Sequence, residues 1–142
     1  MKKVGLVLSS TIAVACAVVA PAALGSTASA GPAVTVQIKT LSKTLLGPKT
    51  EHGEKGWITK GGTPRGKCSG NSAAGALDAA THGKWGATYF AKYSDVFVTS
   101  ILGVKPTGSD FWEILVNGKA SSLGLCQVKL HAGEKLLFKI VK

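Results

Sequence analysis

Several short stretches of the chain alternate apolar and polar residues, which predicts strands with one buried face. In the first of them Val34, Val36 and Ile38 are separated by single polar residues. Leu45-Leu46 starts a further strand that Gly47-Pro48 is expected to interrupt. Strands are predicted by alternation, or by residues that fit a pleated surface, at residues 34–40, 87–93, 95–102, 111–116 and 135–141.

The stretch 111–119 predicts a hairpin. Trp112, Ile114 and Val116 share one face of its strand. Asn117-Gly118 follows, and this pair is typical of a type I′ turn because both of its residues tolerate positive φ. We therefore expect Trp112 to be a core residue and not part of a ligand site.

One helix is predicted, beginning after Asn71 or Ser72 as its N-cap and ending at Gly83. His82 in its last turn suits the negative end of the helix dipole, which is a structural role. The apolar positions recur with helical spacing as a narrow stripe of small residues, namely Ala73, Ala76, Leu77 and Ala80. This stripe is expected to cover the sheet face that holds Trp112.

The segment 53–70 contains six glycines and Pro64, which predicts a long loop without regular structure. Residues 61–67 have the glycine and lysine spacing of a phosphate-binding loop. However, Cys68 occupies the position of the Ser or Thr that would hold magnesium, and no buried strand leads into the loop. We therefore expect no nucleotide binding.

Residues 1–30 have the pattern of a secretory signal peptide. Lys2 and Lys3 precede an apolar run, and 28–30 is a small-x-small cleavage site. Cleavage is expected between Ala30 and Gly31, which leaves residues 31–142 as a single secreted, extracellular or cell-surface domain. A membrane anchor is the competing interpretation. Pro21 and the lack of stop-transfer charges disfavour it, so no transmembrane segment is expected after signal removal.

Charge adds a possible partner. Without Lys2 and Lys3 the chain has 15 basic and seven acidic residues, a net charge of +8. Such a charge favours acidic partners such as an anionic cell-wall polymer, although it also serves solubility. The candidate contacts form the basic loop, defined as Lys55, Trp57, Lys60, Arg65 and Lys67. A loop that is only solvated is the alternative interpretation of these residues.

Two cysteines, Cys68 and Cys126, follow the signal segment. An even number of cysteines in an exported chain usually pairs, so we expect one disulfide. A reactive thiol or a metal ligand is the alternative. Because there is no Cys-x-x-Cys and His52, His82 and His131 are scattered, neither a metal site nor a cofactor is expected.

Together these elements predict an α+β domain with a mainly antiparallel, β-grasp-like sheet of five or six strands and one short helix packed on it. In their order the elements resemble the transcobalamin C-terminal-like domain family, a bacterial secreted domain of unknown function. Glu134 stands where that family usually has Asp in the turn before its last strand. The resemblance is carried by residues 34–38, the Ala-rich helix 73–80, residues 97–101, the hairpin 111–119, Gly124 with Cys126, and residues 132–136.

The resemblance implies a fold and, more loosely, a class of function. In transcobalamin-like proteins this domain closes over a corrin bound mainly against a helical domain, which this chain lacks, so no ligand residue is transferred. We expect a non-catalytic binding or cell-surface module that binds an anionic polymer or a small molecule.

Two other functions stay open. A corrinoid-type small-molecule carrier would need Trp57, Trp85, Tyr89 or Trp112 to be exposed around one concavity. A small secreted hydrolase would need a nucleophile linked to a base, and no spacing in the chain predicts one. We therefore assign no catalytic residue and expect no enzyme activity.

Overall fold

The computed structural model describes residues 31–142. The predicted signal peptide and its cleavage site lie outside this part of the chain, apart from Gly31. Two short 3₁₀ turns, Lys60–Gly62 and Ala91–Tyr93, accompany the regular elements. In chain order these are β1 (Ala33–Lys39), β2 (Thr44–His52), α1 (Ala73–Thr81), β3 (Trp85–Phe90), β4 (Asp95–Ile101), β5 (Phe111–Val116), β6 (Lys119–Ala120) and β7 (Lys135–Val141).

The described residues form two sheets and one α-helix. Five strands form a sheet in the order β2-β1-β7-β5-β6, whereas β3 and β4 pair only with each other. The pair β1–β7 is parallel, and all the other pairs are antiparallel. A mostly β domain with one helix is therefore confirmed. The prediction of a single sheet is corrected, because β3 and β4 stand apart from the other five strands.

Strand β2 continues through Gly47-Pro48, so the predicted interruption there is wrong. Val36 lies opposite Lys49 and Ile38 lies opposite Leu46, which leaves one extra residue in β2. That extra residue is a β-bulge. Proline has no N–H to donate to a neighbouring strand, and it is tolerated here because β2 is an edge strand and the bulge disrupts the ladder locally.

The core lies on one face of the five-stranded sheet. Alternate residues of β1, β5 and β7 are buried, as their patterns predict. Trp112 is only 7% exposed, which confirms it as a core residue. Its predicted cover is corrected, because α1 packs mainly against β1 and β2 while β4 packs against β5.

The helix begins after Ser72 and buries the predicted stripe together with Ala74. The Ser72 side chain caps no helix N–H; its hydroxyl donates to the carbonyl of Ser69 at 2.6 Å. The helix ends one residue earlier than predicted, at His82, which is left-handed with φ 51°. The backbone N–H of Gly83 then donates to the carbonyl of Asp78.

Two predicted local features, the turn after β5 and the disulfide, are present in the structure. Asn117 and Gly118 have φ of 51° and 82° and join Val116 to Lys119, as expected for a two-residue turn. Cys68 and Cys126 form the predicted disulfide, with Cα atoms 4.6 Å apart. It ties the loop before α1 to the segment after the hairpin.

Candidate functional site

A concave site of about 490 Å³ lies between the β3–β4 hairpin and residues 122–127. We call it the aromatic groove. Its size falls within the range of small-molecule sites, which is about 300–1,000 Å³. The groove is lined by Phe90, Tyr93, Asp95, Val96, Phe97, Ser122, Leu123, Gly124 and Gln127.

The first wall of the groove follows from strand alternation. In β4, Val96 and Val98 point into the core, so Phe97 between them points outward and is 50% exposed. Phe90 lies at the end of β3 and pairs with Asp95 at the start of β4. The 3₁₀ turn between the strands presents Tyr93, which is 61% exposed.

The second wall is the segment that contains Cys126. Its exposed apolar side chain, Leu123, is held in a turn where the Ser121 hydroxyl donates to the Leu123 carbonyl at 2.9 Å. The Gln127 side-chain amide donates to the Tyr93 carbonyl at 2.6 Å, which joins this wall to the hairpin. Together with the disulfide, these bonds hold both walls in place.

A carboxylate forms the floor of the groove. Asp95 is 7% exposed, and its Oδ1 accepts the backbone N–H groups of Val96 at 2.8 Å and Cys126 at 3.0 Å. Its Oδ2 is buried without a hydrogen-bond partner in residues 31–142. Gly124 lies directly against this carboxylate, and a Cβ at that position would collide with it.

The basic loop is less uniform than its sequence suggests. Lys55, Arg65 and Lys67 are exposed, and Trp57 is 49% exposed. Lys60, in contrast, forms an ion pair with Asp78 at 3.3 Å, donates to the Gly83 carbonyl at 2.7 Å and lies 5.2 Å from the centroid of the Trp85 ring. Lys60 is therefore engaged in holding the loop to the helix end.

The hollow beside Trp57 carries acidic groups. It has a volume of about 340 Å³, and Glu54 and Asp78 line it together with Lys60. Desolvation raises the pKa of the Glu54 carboxyl above its ordinary value; the Asp78 charge and a hydrogen bond to Asp78 raise it further, and Lys60 opposes them. Asp78 Oδ1 also accepts the Trp85 indole N–H at 2.5 Å. An anion would meet two carboxyl groups here.

The aromatic concavity considered for a corrinoid carrier is not formed by the predicted residues. Trp85 and Trp112 are buried in the core, and Trp57 lies in a separate hollow. The groove uses Phe90, Tyr93 and Phe97 instead, which sequence reasoning missed. The sequence did contain one signal of an exposed aromatic side chain. Phe97 stands between two valines that were expected to be buried, so Phe97 had to lie on the opposite face of the strand.

Within residues 31–142, no group of three or more His, Cys, Asp or Glu side chains converges as metal ligands would. His131 pairs with Glu134 at 3.2 Å in an exposed turn, and His82 is the exposed cap of α1. No helix in this part of the chain is long and apolar enough to cross a membrane.

Sequence comparison identifies one family. The model of a family described as a domain of unknown function, DUF4430, matches residues 70–142. This match includes α1, both walls of the groove and the last strand of the sheet. No curated protein has a sequence detectably similar to this chain.

Solved structures show a similar fold. Haptocorrin in complex with Cbi matches 78% of this chain with a TM-score of 0.54 and 17% identity. The chain spans only 25% of the length of haptocorrin. A "putative metal binding protein" from Ruminococcus gnavus ATCC 29149 also matches 78% of the chain, with a TM-score of 0.54 and 11% identity, over 97% of its own length. At these identities the likeness shows the fold alone, and it supports the resemblance to transcobalamin-like domains.

Proposed function

The chain belongs to the DUF4430 family of domains of unknown function, and from that premise we propose that it is a non-catalytic binding module that takes a small molecule in the aromatic groove. The observation that carries the proposal is the set of exposed aromatic side chains above a buried carboxylate. Apolar walls with a few fixed polar groups are the usual make-up of small-molecule sites.

The stability of the fold does not explain why the aromatic side chains of the groove are exposed. Phe90, Tyr93 and Phe97 leave about half of their surface in water, although burial would stabilise each of them by about 1.5–3 kcal/mol. Contiguous exposed apolar surface usually marks a site of interaction. Here the surface is also concave and held by the disulfide, so a bound molecule would meet a preformed site.

The fold similarity to haptocorrin supports small-molecule binding as a class. Haptocorrin is known in complex with Cbi, and this chain corresponds to a quarter of that protein. A corrinoid-type carrier is therefore retained as a narrower version of the proposal. The hydrolase alternative has no supporting hydrogen bond among the described residues, because the Ser and Thr hydroxyls that donate there do so to backbone carbonyls and not to a histidine or a carboxylate.

Ligand screening with a matched variant tests the groove. The mature domain would be titrated with a panel of small aromatic, amine and corrinoid compounds, and binding would be followed by backbone amide NMR shifts. We expect shifts at residues 90–97 and 122–127, and at least tenfold weaker binding in Phe97→Ser, since a central contact is worth more than about 1.4 kcal/mol.

The control for that screen is Phe111→Ser. Phe111 is an exposed phenylalanine of β5 that lies outside the groove, so its loss removes a similar apolar area. Ligands that shift other surfaces, or that lose equal affinity in the two variants, would remove the groove from the mechanism.

The basic loop supports a second function, binding of an anionic cell-wall polymer. The supporting observation is that Lys55, Arg65 and Lys67 are exposed near an exposed Trp57. Long-range attraction by these charges should weaken as added salt shortens the screening length from about 10 Å at 0.1 M to about 3 Å at 1 M.

A pair of triple variants tests the polymer proposal. Replacing Lys55, Arg65 and Lys67 with Gln should reduce polymer retention at low salt while circular dichroism stays unchanged, because exposed loop charges rarely carry stability. Replacing three exposed lysines elsewhere with Gln gives the same net charge, using Lys43, Lys105 and Lys119. Equal retention by the two triple variants would show that only net charge matters.

Secretion is part of the proposal. The supporting pattern is the apolar run of residues 1–30 with its small-x-small ending. Mass spectrometry of the protein recovered from the growth medium should find an amino terminus at Gly31. Retention of residues 1–30 in a membrane fraction would favour an anchor.

We also propose that the architecture is β-grasp-like. Two observations support this description: parallel β1 and β7 lie in the middle of the five-stranded sheet, with an antiparallel partner on the outer side of each, and a single helix packs across the β1–β2 side.

A further inference from the structure

We propose that the aromatic groove selects a ligand with an N–H cation on an apolar body, such as an arylalkyl ammonium, and that Asp95 receives that cation. This inference rests on the proposed function, because it names the ligand chemistry of the same groove. The juxtaposition that carries it is a buried carboxylate oxygen without a partner at the floor of an aromatic site.

The two oxygens of Asp95 have different roles. Oδ1 is satisfied by the N–H groups of Val96 and Cys126, which fix the carboxylate at the start of β4. Oδ2 has no such partner in residues 31–142. Leaving a buried acceptor without a donor costs free energy, and the cost is larger when the acceptor is charged. A ligand N–H placed in the groove would supply the missing donor.

Gly124 brings the backbone of the second wall directly against this carboxylate. Any larger residue would place a Cβ in collision with the Asp95 carboxylate and would have to displace it. The backbone of the second wall can therefore approach closely and hold the carboxylate through the Cys126 N–H. Oδ2 itself is buried beside Gly124, so it meets a ligand only when the carboxylate or the Gly124 backbone shifts.

The Asp95 carboxylate has no cationic partner within residues 31–142. Among the ion pairs of the described residues, none involves Asp95. The nearest lysine in sequence, Lys92, lies with its Nζ 5.4 Å from the centroid of the Tyr93 ring. That contact shows that an aromatic wall of the groove already accepts an ammonium group on its face. The floor itself is left for a ligand.

The charge and hydrogen-bonding capacity of Asp95 restrict the class of ligand further. An unpartnered carboxylate oxygen repels anions and gains most from a charged donor, because charge-assisted hydrogen bonds are about twice as strong as neutral ones. A quaternary ammonium has no N–H to give. The net charge of +8 opposes cations at long range, but screening over about 8 Å at physiological salt leaves the contact with Asp95 dominant.

Three matched probes test the inference on the mature domain at about 0.15 M salt. These are 2-phenylethylammonium, its neutral isostere 2-phenylethanol, and the N,N,N-trimethyl derivative of the amine. NMR titration should show the primary ammonium binding in the groove at least about tenfold more tightly than either of the other two, as expected for a charge-assisted hydrogen bond.

Two variants locate the effect at the floor. Asp95→Asn keeps a carbonyl oxygen for Val96 and Cys126 but replaces Oδ2 with a donor, so it should remove the preference for the ammonium. Gly124→Ala should weaken ammonium binding by displacing the same carboxylate. Asp110→Asn removes one acidic charge outside the groove and should change nothing. Circular dichroism would check that each variant is folded.

The outcomes separate this inference from the proposed function. If the alcohol binds the groove as tightly as the ammonium, or if Asp95→Asn keeps the preference, the N–H cation is wrong while the groove remains a binding site. If none of the probes and no member of the wider panel shifts groove residues, both proposals fail.

Discussion

In both the five-stranded sheet and the β3–β4 hairpin, successive side chains alternate between a buried and an exposed face, but the two regions differ in what the exposed face carries. In β5 the apolar side chains of Trp112 and Ile114 enter the core. In β4 the valines enter the core, yet Phe97 between them is apolar as well and stays half in water. Folding explains why apolar side chains occupy the buried face of each strand. An apolar side chain on the exposed face, such as Phe97, needs another explanation, and we propose that it is ligand binding.

The largest expected effect concerns the buried side of this comparison. Trp112→Ala should lower the free energy of unfolding by about 3–5 kcal/mol, because it opens a large cavity in the core. Chemical denaturation would measure the loss, with Phe111→Ala in the same strand as a control that should cost far less. An unchanged unfolding midpoint for Trp112→Ala would overturn the comparison.

The disulfide links the two regions and should have the next largest effect. Replacing both Cys68 and Cys126 with Ser removes a crosslink between residues 58 apart. Restriction of the unfolded chain by a loop of this length is worth about 4 kcal/mol. Thermal unfolding of the double variant and of the reduced wild type should agree. Equal stability with and without the crosslink would contradict this expectation.

The exposed side of the comparison predicts a separation of stability from binding. Phe97→Ser should change the free energy of unfolding by no more than about 1 kcal/mol, as expected for surface substitutions. The same variant should lose groove binding. A loss of stability similar to that of Trp112→Ala would mean that Phe97 serves the fold, and the distinction between the two faces would disappear.

The smallest effect tests the acidic hollow beside Trp57. The pKa of Glu54 is raised in the folded protein above its ordinary value of 4.5. At a pH just above 4.5 the native state therefore still binds a proton on Glu54, whereas the unfolded state has released it. Stability contributed by this group is therefore lost as pH rises through that window. Glu54→Gln should be slightly more stable than the wild type at about pH 7, and this advantage should shrink at about pH 4.

Denaturation of both proteins at the two pH values measures that difference. Glu113→Gln is a suitable control, because Glu113 pairs with Lys139 at 3.7 Å and its loss should not stabilise the protein. An advantage for Glu54→Gln that grows towards acid pH would reverse the sign and contradict the assignment.

Local patterns predicted most of the fold. Alternation marked β1, β5 and β7, Asn117-Gly118 fixed the turn, and the small-residue stripe located α1, because each of these features depends on neighbours in sequence. The separation of β3 and β4 from the main sheet was not predictable in this way. Period-two alternation shows which face of a strand is buried, but not which strand becomes its partner.

The candidate site was harder to predict because it depends on distant contacts. Asp95 becomes a buried floor only when residues 122–127, almost thirty positions later, fold over it. Lys60 leaves the basic loop because Asp78 reaches it from the helix. Sequence alone showed exposed candidates such as Lys55 and Arg65, but it could not show which charges would be neutralised by residues far along the chain.

The parallel pairing of the first and last strands has a mechanical consequence. Thr35 lies beside Lys135 and Lys39 beside Lys139, so the start of β1 and the end of β7 are at opposite ends of one ladder. A pulling force applied between the two termini would load all the hydrogen bonds of this ladder together in shear, and not one after another as in unzipping. If the domain is tethered to a cell surface at one end and pulled at the other, rupture must begin in the middle of its sheet, where the core is most fully buried.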